Sequence, residues 1–288
     1  MPKKTQRSDK TRDNWVVRAP GAPDRIEARF SGAAFSPHRH DTYAIGMTLA
    51  GVQTFDYRGA TRHSLPGHVV VLHPDELHDG RAGSADAFRY RTLYLQPARL
   101  QTVLGGRALP FVEGGVSTDD ALKRALVPLL EDYERALTEL EYHDALVALA
   151  DVLTTLAKAS PLRGRPHYAA AQRARGYLDA HIADDVKLAD LETAAEFDRW
   201  QLSRDFRAVF GTSPYRYLIA RRLEKAQAMM IAGDTIADTA AACSFADQSH
   251  FTRHFNKTFG LTPKRWLAAM RDQPKGAQSF YNAVGEPS

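Results

Sequence analysis

Three histidines in the first third of the chain have the side chains and the spacing to bind a metal ion or a polar ligand. His38 and His40 are two residues apart, so on a β-strand both point to the same face. His78, from a neighbouring strand, would complete a facial set of imidazole ligands. The same side chains, with Tyr43 beside them, would also suit the polar lining of a pocket for a small molecule. The residues alone leave both interpretations open.

A second set of candidate residues comes from an internal duplication. The segment FDRWQLSRDFRAVFGTSPYRYL begins at Phe197, and FADQSHFTRHFNKTFGLTPKRWL begins at Phe245. A repeat of about fifty residues indicates two copies of one supersecondary unit. Each copy predicts a short helix (188–195 and 236–243), a tight turn and a second helix (199–210 and 247–259). These are the ingredients of a helix-turn-helix.

The second helix of each copy has an apolar stripe and an opposite polar face. The stripe residues are Leu202, Phe206, Val209 and Phe210 in the first copy, and Phe251, Phe255 and Phe259 in the second. The polar residues are Trp200, Ser203, Arg204 and Arg207 in the first copy, and Gln248, Ser249, Thr252, Arg253 and Asn256 in the second. Arg, Gln, Ser and Thr read base edges, and Trp packs against thymine methyl groups. The pattern predicts two DNA probes, although helical-hairpin packing with incidental polar residues would share it.

The segment between the two copies predicts a helix that sets their separation. It begins at Ser213-Pro214, which suit the cap and first-turn positions, and runs to about Ile231. About 18 residues at 1.5 Å each span roughly 27 Å. That length can place two reading helices about one DNA turn, roughly 34 Å, apart. Asp198 and Thr235 are the predicted N-caps of the neighbouring helices.

Charge is unevenly distributed along the 288 residues, whose net charge is +4. Residues 1–159 carry 20 basic and 20 acidic side chains, whereas residues 160–271 carry 17 basic and 12 acidic ones. A basic half suggests contact with a polyanion, and a merely solvated surface would look the same.

Composition along the chain predicts a multidomain α and β protein. Short aromatic and β-branched runs over 16–110, separated by turn residues, indicate a β-sandwich or barrel. Leucines at helical spacing over 119–158 indicate a helical pair, kinked or split by Pro128. The predicted divisions are a first domain at 16–159, a linker at 160–166, and an all-α domain at 167–271 with helix-turn-helix units at 187–211 and 235–260. The single Cys243, the polar N-terminus and the lack of a long apolar run favour a cytoplasmic protein with no membrane partner.

The segment IADTAAACSFADQSHFTRHFNKTFGLTPKRW, from Ile236, carries a resemblance to a known family. Residues from about 168 to 270 resemble the DNA-binding domain of AraC/XylS-type transcription regulators. The base-contacting positions that the resemblance implies are Trp200, Ser203, Arg204, Gln248, Ser249 and Arg253, with His250 facing the DNA backbone. Three residues depart from the family pattern: Glu192 replaces a small alanine, Glu196 the turn glycine, and Ala246 a capping serine. We expect the departures to weaken the first unit or change its share of the affinity.

The segments PHRHDTYAIG and LPGHVVVLHPDELH resemble the cupin-like sensor domain of the same regulators. His38, His40 and His78 fall where cupin enzymes place metal-binding histidines. The enzyme pattern also has a carboxylate four residues after the second histidine, where this sequence has Ala44. We therefore favour an effector-binding role for His38, His40, His78 and Tyr43 and expect no metal or other cofactor. The resemblance also implies that the helical pair forms a homodimer, although a plain intramolecular bundle would show the same leucine stripe.

Together these features predict an effector-responsive transcription regulator that is not an enzyme. Its expected partners are double-stranded DNA, a small-molecule effector, a second copy of the chain and, by resemblance, RNA polymerase. Activation is expected because it is the family's commoner mode. The alternative is a metal-dependent cupin enzyme fused to a DNA-binding module.

Overall fold

The computed structural model describes residues 14–157, 165–259 and 262–271. Residues 1–13, 158–164, 260–261 and 272–288 lie outside the described residues, and with them most of the linker predicted at 160–166 and the last residue of the unit predicted at 235–260. Within the described ranges, the first half contains all the strands together with three helices, and the second half contains only helices. The predicted change of architecture along the chain is confirmed.

The first half is built from two antiparallel sheets. The strands are β1 Trp15–Arg18, β2 Asp24–Phe30, β3 Ala33–His38, β4 Tyr43–Ala50, β5 Gln53–Tyr57, β6 Ala60–Ser64, β7 Val69–Leu72, β8 His78–Ala82, β9 Phe88–Leu95 and β10 Val116–Ser117. The larger sheet has the order β1-β2-β9-β4-β7-β10, and the smaller has the order β3-β8-β5-β6. The β-rich first domain that the strand pattern predicted is therefore present.

Both faces of the larger sheet are buried, which explains the nearly continuous apolar sequence of β4 and β7. Alternate residues such as Ile45 and Val71 pack against helices outside the sheet. Their neighbours Ala44 and Val70 pack on the other face with Phe55 and Tyr57 of the smaller sheet. Strand alternation therefore divides the first half into an interior between the sheets and an outer, helix-covered layer.

The outer layer consists of α1 Pro97–Leu104, α2 Asp120–Leu130 and α3 Glu139–Leu156. Asp119 caps α2, and Thr138 forms a capping box with Glu141 at the start of α3. Pro128 lies inside the last turn of α2, and the helix ends two residues later. The leucine stripe of α2 and α3 is buried against the chain's own larger sheet. Intramolecular packing therefore accounts for that stripe.

The second half is helical throughout its described residues. The helices are α4 Tyr168–Ala180, α5 Leu188–Ala195, α6 Arg199–Phe210, α7 Pro214–Ala232, α8 Ile236–Ala242, α9 Gln248–Phe259 and α10 Pro263–Arg271. Predicted and observed helix ends agree to within about one residue. The predicted caps are also present: Asp198 accepts hydrogen bonds from Trp200 and Gln201, Thr235 from Asp238, and Ser213 from Arg216.

Each repeat has an apolar core of its own. The first core includes Phe206 and Phe210, and the second includes Phe251, Phe255 and Trp266. The long helix α7 contributes to both, with Leu218 in the first and Leu223 in the second. The duplication therefore produces two small packed units that share one connecting helix.

The three departures from the family pattern have local structural explanations. Glu196 ends α5 in the left-handed conformation, with φ at 49°, where glycine is the least strained residue. Glu192 is half-buried and accepts a hydrogen bond from the Arg199 backbone N–H at 3.4 Å. Ala246 lacks a capping side chain, but the next residue, Asp247, accepts a hydrogen bond from the His250 N–H at 2.6 Å. The cap of α9 is thus moved by one residue.

The two halves of the chain are in direct contact along α1 and α6. The Gln101 side-chain amide donates to the Val209 carbonyl at 3.0 Å, and the Leu109 N–H donates to the Ala208 carbonyl at 2.8 Å. Both acceptors belong to the last turn of α6, whose carbonyls have no partner within the helix. The first half of the chain therefore completes the hydrogen bonding at the end of α6.

Membrane-spanning helices are absent from the described residues, since none of their helices combines the length and the apolar character that crossing requires.

Candidate DNA interface and histidine cluster

The outer face of α6 presents the predicted polar side chains to solvent. Trp200 is 69% exposed, and Arg204 and Arg207 are also exposed, whereas Leu202 and Phe206 on the opposite side are buried. Exposing an indole ring to water is unfavourable unless a partner covers it. The exposed tryptophan beside two arginines therefore fits a surface that is covered when DNA binds.

The outer face of α9 forms a shallow polar groove. Its lining residues are Gln248, Ser249, Thr252, Arg253, Asn256 and Thr262. Five of these six residues are predicted DNA contacts. His250 is only half-buried, but its Nε2 lies 3.0 Å from the Nε2 of His254, and its ring packs against Phe245. His250 thus lies at the edge of the groove, between the reading face and the core.

Arg222 of α7 joins the two repeats. The residue is only 7% exposed, and its guanidinium donates to the carbonyls of Ile182 and Asp184 at 2.8 and 2.6 Å. It also donates to the carbonyl of Ser244 in the turn of the second unit, at 3.0 Å. One side chain therefore fixes the turn before α5 to the turn before α9. Because α7 itself is 19 residues long, or about 28 Å, Arg222 and α7 together set the spacing and orientation of α6 and α9.

Ion pairs join α7 to the sensor half. Arg221 contacts Asp41 and also Glu224, which lies 2.6 Å from it. Arg216 forms a second pair with Asp75 at 2.5 Å. Burial raises the pKa of Glu224 to about 8, even though Arg221 lowers it, because two carboxylates share one guanidinium in a poorly hydrated site.

The three predicted histidines do converge. His38 and His78 are paired across β3 and β8, and one ring nitrogen of each of the three imidazoles lies within 4.8 Å of the others. Burial lowers the pKa of all three rings and brings that of His40 to about 4. The imidazoles are therefore neutral at physiological pH, the state in which they act as hydrogen-bonding or metal-binding groups.

Tyr43, the fourth predicted effector contact, lies on the other side of its strand. It is buried in the helix-covered layer, and its hydroxyl donates to the Pro110 carbonyl at 2.8 Å. Tyr94 of β9 is instead the aromatic residue beside the cluster, with its ring 5.7 Å from that of His40. The structure therefore brings together three of the four predicted residues and adds one that the sequence analysis missed.

Comparison with known proteins relates both halves of the chain to one family. The family model described as the AraC-like ligand binding domain matches residues 20–150, and a helix-turn-helix domain model matches residues 191–269. The chain belongs to the AraC-type transcription regulators. It is therefore a DNA-binding regulator of transcription with an effector-binding domain.

Full-length relatives share this arrangement at low identity. The HTH-type transcriptional regulator YbfI of Bacillus subtilis is 26% identical over 236 residues, covering 78% of this chain and 85% of YbfI. The transcriptional activator RhaS of Citrobacter koseri is 24% identical over 242 residues, covering 80% and 87%. ToxT from Vibrio cholerae has the same two-domain fold, with a TM-score of 0.60 at 10% identity over 91% of this chain and all of the ToxT chain.

Two groups of residues in this AraC-type regulator escaped the sequence analysis. Arg222 occupies the apolar stripe of α7, four residues after Leu218 and next to Leu223. An arginine on a buried stripe must find hydrogen-bond acceptors, so this position did carry a sequence signal. Asp41 and Asp75 carried none, because their partners on α7 lie more than 140 residues away along the chain.

Proposed function

We propose that this regulator activates transcription in response to a small-molecule effector and reads DNA with the exposed faces of α6 and α9. The single observation behind the proposal is that two similar helices each bury a phenylalanine stripe and expose an arginine-bearing polar face. The proposed contact residues are Trp200, Ser203, Arg204, Arg207, Gln248, Ser249, Thr252, Arg253 and Asn256, with His250 beside the phosphate backbone.

Alanine substitution of the central arginines tests this interface. Arg204→Ala and Arg253→Ala should each lose about 1–3 kcal/mol on the specific site and relax base choice at one position. Binding to random DNA should change much less. Arg124→Ala, on the exposed face of α2, is the matched control and should leave both affinities unchanged. Equal losses on specific and random DNA would mean that the arginines contact only phosphates.

Activation is the proposed mode because RhaS, similar over most of its length, is named a transcriptional activator. An activator must contact the transcription machinery, and we propose that RNA polymerase is the partner. We further propose a homodimer that acts in the cytoplasm. Its interface would need surface other than the buried leucine stripe, such as the region around Leu140, which is 70% exposed. Sedimentation analysis of Leu140→Glu would test this interface.

The proposed effector site is the histidine cluster between the sheets. Neutral imidazoles close to the apolar side chains between the sheets suit a small molecule with a polar end. ToxT has been crystallised with an unsaturated fatty acid bound, so the shared fold can accommodate a small ligand. His40→Ala should abolish ligand-dependent stabilisation in a thermal-shift screen of metabolites. A hit that stabilises both proteins equally would place the effector elsewhere.

The alternative, a metal-dependent cupin enzyme joined to a DNA-binding module, is disfavoured by one position. Ala44 stands where the enzyme pattern has a carboxylate, and it packs among Phe55, Val70 and Leu72. A methyl group at this position can act neither as a metal ligand nor as an acid–base group. We therefore propose that the regulator catalyses no reaction.

A further inference from the structure

Hydrogen bonds to the backbone fix the orientations of the three clustered imidazole rings. Each Nδ1 faces a backbone carbonyl two residues away. The acceptors are the carbonyl oxygens of Ser36 for His38, Thr42 for His40 and Glu76 for His78, at 2.9, 2.8 and 3.0 Å. A carbonyl oxygen can only accept, so each Nδ1 carries the proton and each Nε2 keeps its lone pair.

This arrangement is typical of metal-binding histidines, which donate their second ring nitrogen to a carbonyl and thereby fix tautomer and orientation. The ring centroids of His38 and His40 lie 4.5 and 4.8 Å from that of His78. The hydrogen bonds that orient the three rings use Nδ1, which leaves Nε2 as the ring nitrogen with which each histidine can bind a metal ion.

In contrast to the expectation from the sequence that no metal binds, we propose that the Nε2 atoms of His38, His40 and His78 bind one divalent transition-metal ion of the zinc class. Imidazole nitrogens suit zinc, nickel and cobalt, whereas calcium and magnesium prefer oxygen ligands. Three protein ligands leave at least one coordination position open for water or for an anionic group of a ligand. The proposal needs no organic effector, so it can be tested separately from the effector proposal above.

The position of the site connects it to the DNA-binding half. The Asp75 N–H donates to the His40 carbonyl at 2.8 Å, and Asp41 directly follows His40. These two aspartates are the residues that pair with Arg216 and Arg221 of α7. A metal ion that fixes His40 would therefore also order the segment that attaches α7 to the sensor half.

Metal titration of the full-length, tag-free protein after chelator treatment tests the proposal. Zn²⁺ affinity is measured by competition with a chromophoric chelator, and Co²⁺ absorption reports the coordination geometry. We expect one tightly bound equivalent and a Co²⁺ spectrum of low coordination number. His40→Gln and His78→Gln should each weaken Zn²⁺ binding by at least roughly 100-fold, because each removes a direct ligand. His143→Gln, on the exposed surface of α3, should leave the affinity unchanged.

A second histidine pair provides the decisive comparison. His250 and His254 also bring two Nε2 atoms together, at 3.0 Å on α9. His254→Gln should therefore retain the tight Zn²⁺ equivalent if the proposal is right. Loss of that equivalent in His254→Gln, or its survival in His40→Gln and His78→Gln variants with unchanged circular dichroism, would overturn the proposal. So would the failure of the wild-type protein to bind a stoichiometric equivalent.

Discussion

Replacing Arg222 with methionine should loosen the two DNA-reading units from each other. The change keeps the aliphatic stem but removes the donors to three carbonyls, those of Ile182, Asp184 and Ser244. An unsatisfied buried carbonyl costs about 1–3 kcal/mol, and water can reach these turns, so the lower value applies to each. We therefore expect the free energy of unfolding to fall by about 3 kcal/mol, measured by urea denaturation of the full-length protein.

The effect on DNA binding should depend on the number of half-sites. When one unit is bound, the rigid connection through α7 holds the other unit close to the adjacent half-site, so its effective concentration there is high. That effective concentration falls when the orientation of the two units becomes variable. With an operator identified by selection from random DNA, Arg222→Met should lose about tenfold in affinity, or about 1.4 kcal/mol. On a DNA site with one half scrambled, Arg222→Met and the wild type should bind with nearly the same affinity.

Arg222→Lys provides the matched comparison, since it retains the charge but replaces the planar fork with a single ammonium group. The free energy of unfolding and the operator affinity of Arg222→Lys should lie between those of the wild type and those of Arg222→Met. Equal losses of Arg222→Met on the complete and the half-scrambled operator would refute the assigned positioning role. The arginine would then support only the fold of one unit.

Three further predictions concern stability. Glu224→Gln should remove a pH dependence. Burial raises the pKa of Glu224 from 4.5 to about 8, so the stability that this carboxyl contributes is fully present below pH 4.5 and is lost as the pH rises to about 8. Urea midpoints at pH 5 and pH 8.5 should differ less for this variant than for the wild type, with Glu134→Gln as the exposed control. Phe206→Ala and Phe255→Ala, both fully buried, should each cost about 3–5 kcal/mol in calorimetry, and a loss below 1 kcal/mol would contradict the assigned cores. Glu196→Gly should stabilise the protein by about 1 kcal/mol and raise the melting temperature, because glycine adopts the left-handed backbone conformation of this position without strain. A lower melting temperature would show that the Glu196 side chain contributes more stability than the strain removes.

The helical half could be predicted closely because its signals are local. Duplicated phenylalanines at helical spacing fix the buried faces, while caps such as Asp198 and Thr235 mark where helices begin. The polar faces then follow by geometry, as in the exposed Trp200 and Arg253. Each of these features depends on residues that are close together in the sequence, so the local sequence pattern is enough to predict it.

The sensor half was less predictable because a strand has two faces and its partners are distant. Tyr43 was assigned to the histidine pocket. It lies two residues before Ile45 on β4, so both side chains point to the same face, into the helix-covered layer and away from the histidines. Tyr94 contacts His40 only because β9 lies beside β4, a pairing that nothing near Tyr94 in the sequence specifies. Likewise, the ion pair of Asp41 with α7 depends on how the two halves pack.

The donors that the sensor half supplies to the end of α6 limit how freely such proteins can be recombined. A chimera that joins this DNA-binding half to a foreign sensor would remove Gln101 and Leu109, leaving the Val209 and Ala208 carbonyls to find other donors. It would also uncover Gly211, whose close approach to Pro74 leaves no room for a side chain. A workable graft should therefore carry the segment from α1 through Leu109 along with the reading helices, so that the exchange boundary lies inside the sensor rather than at the linker.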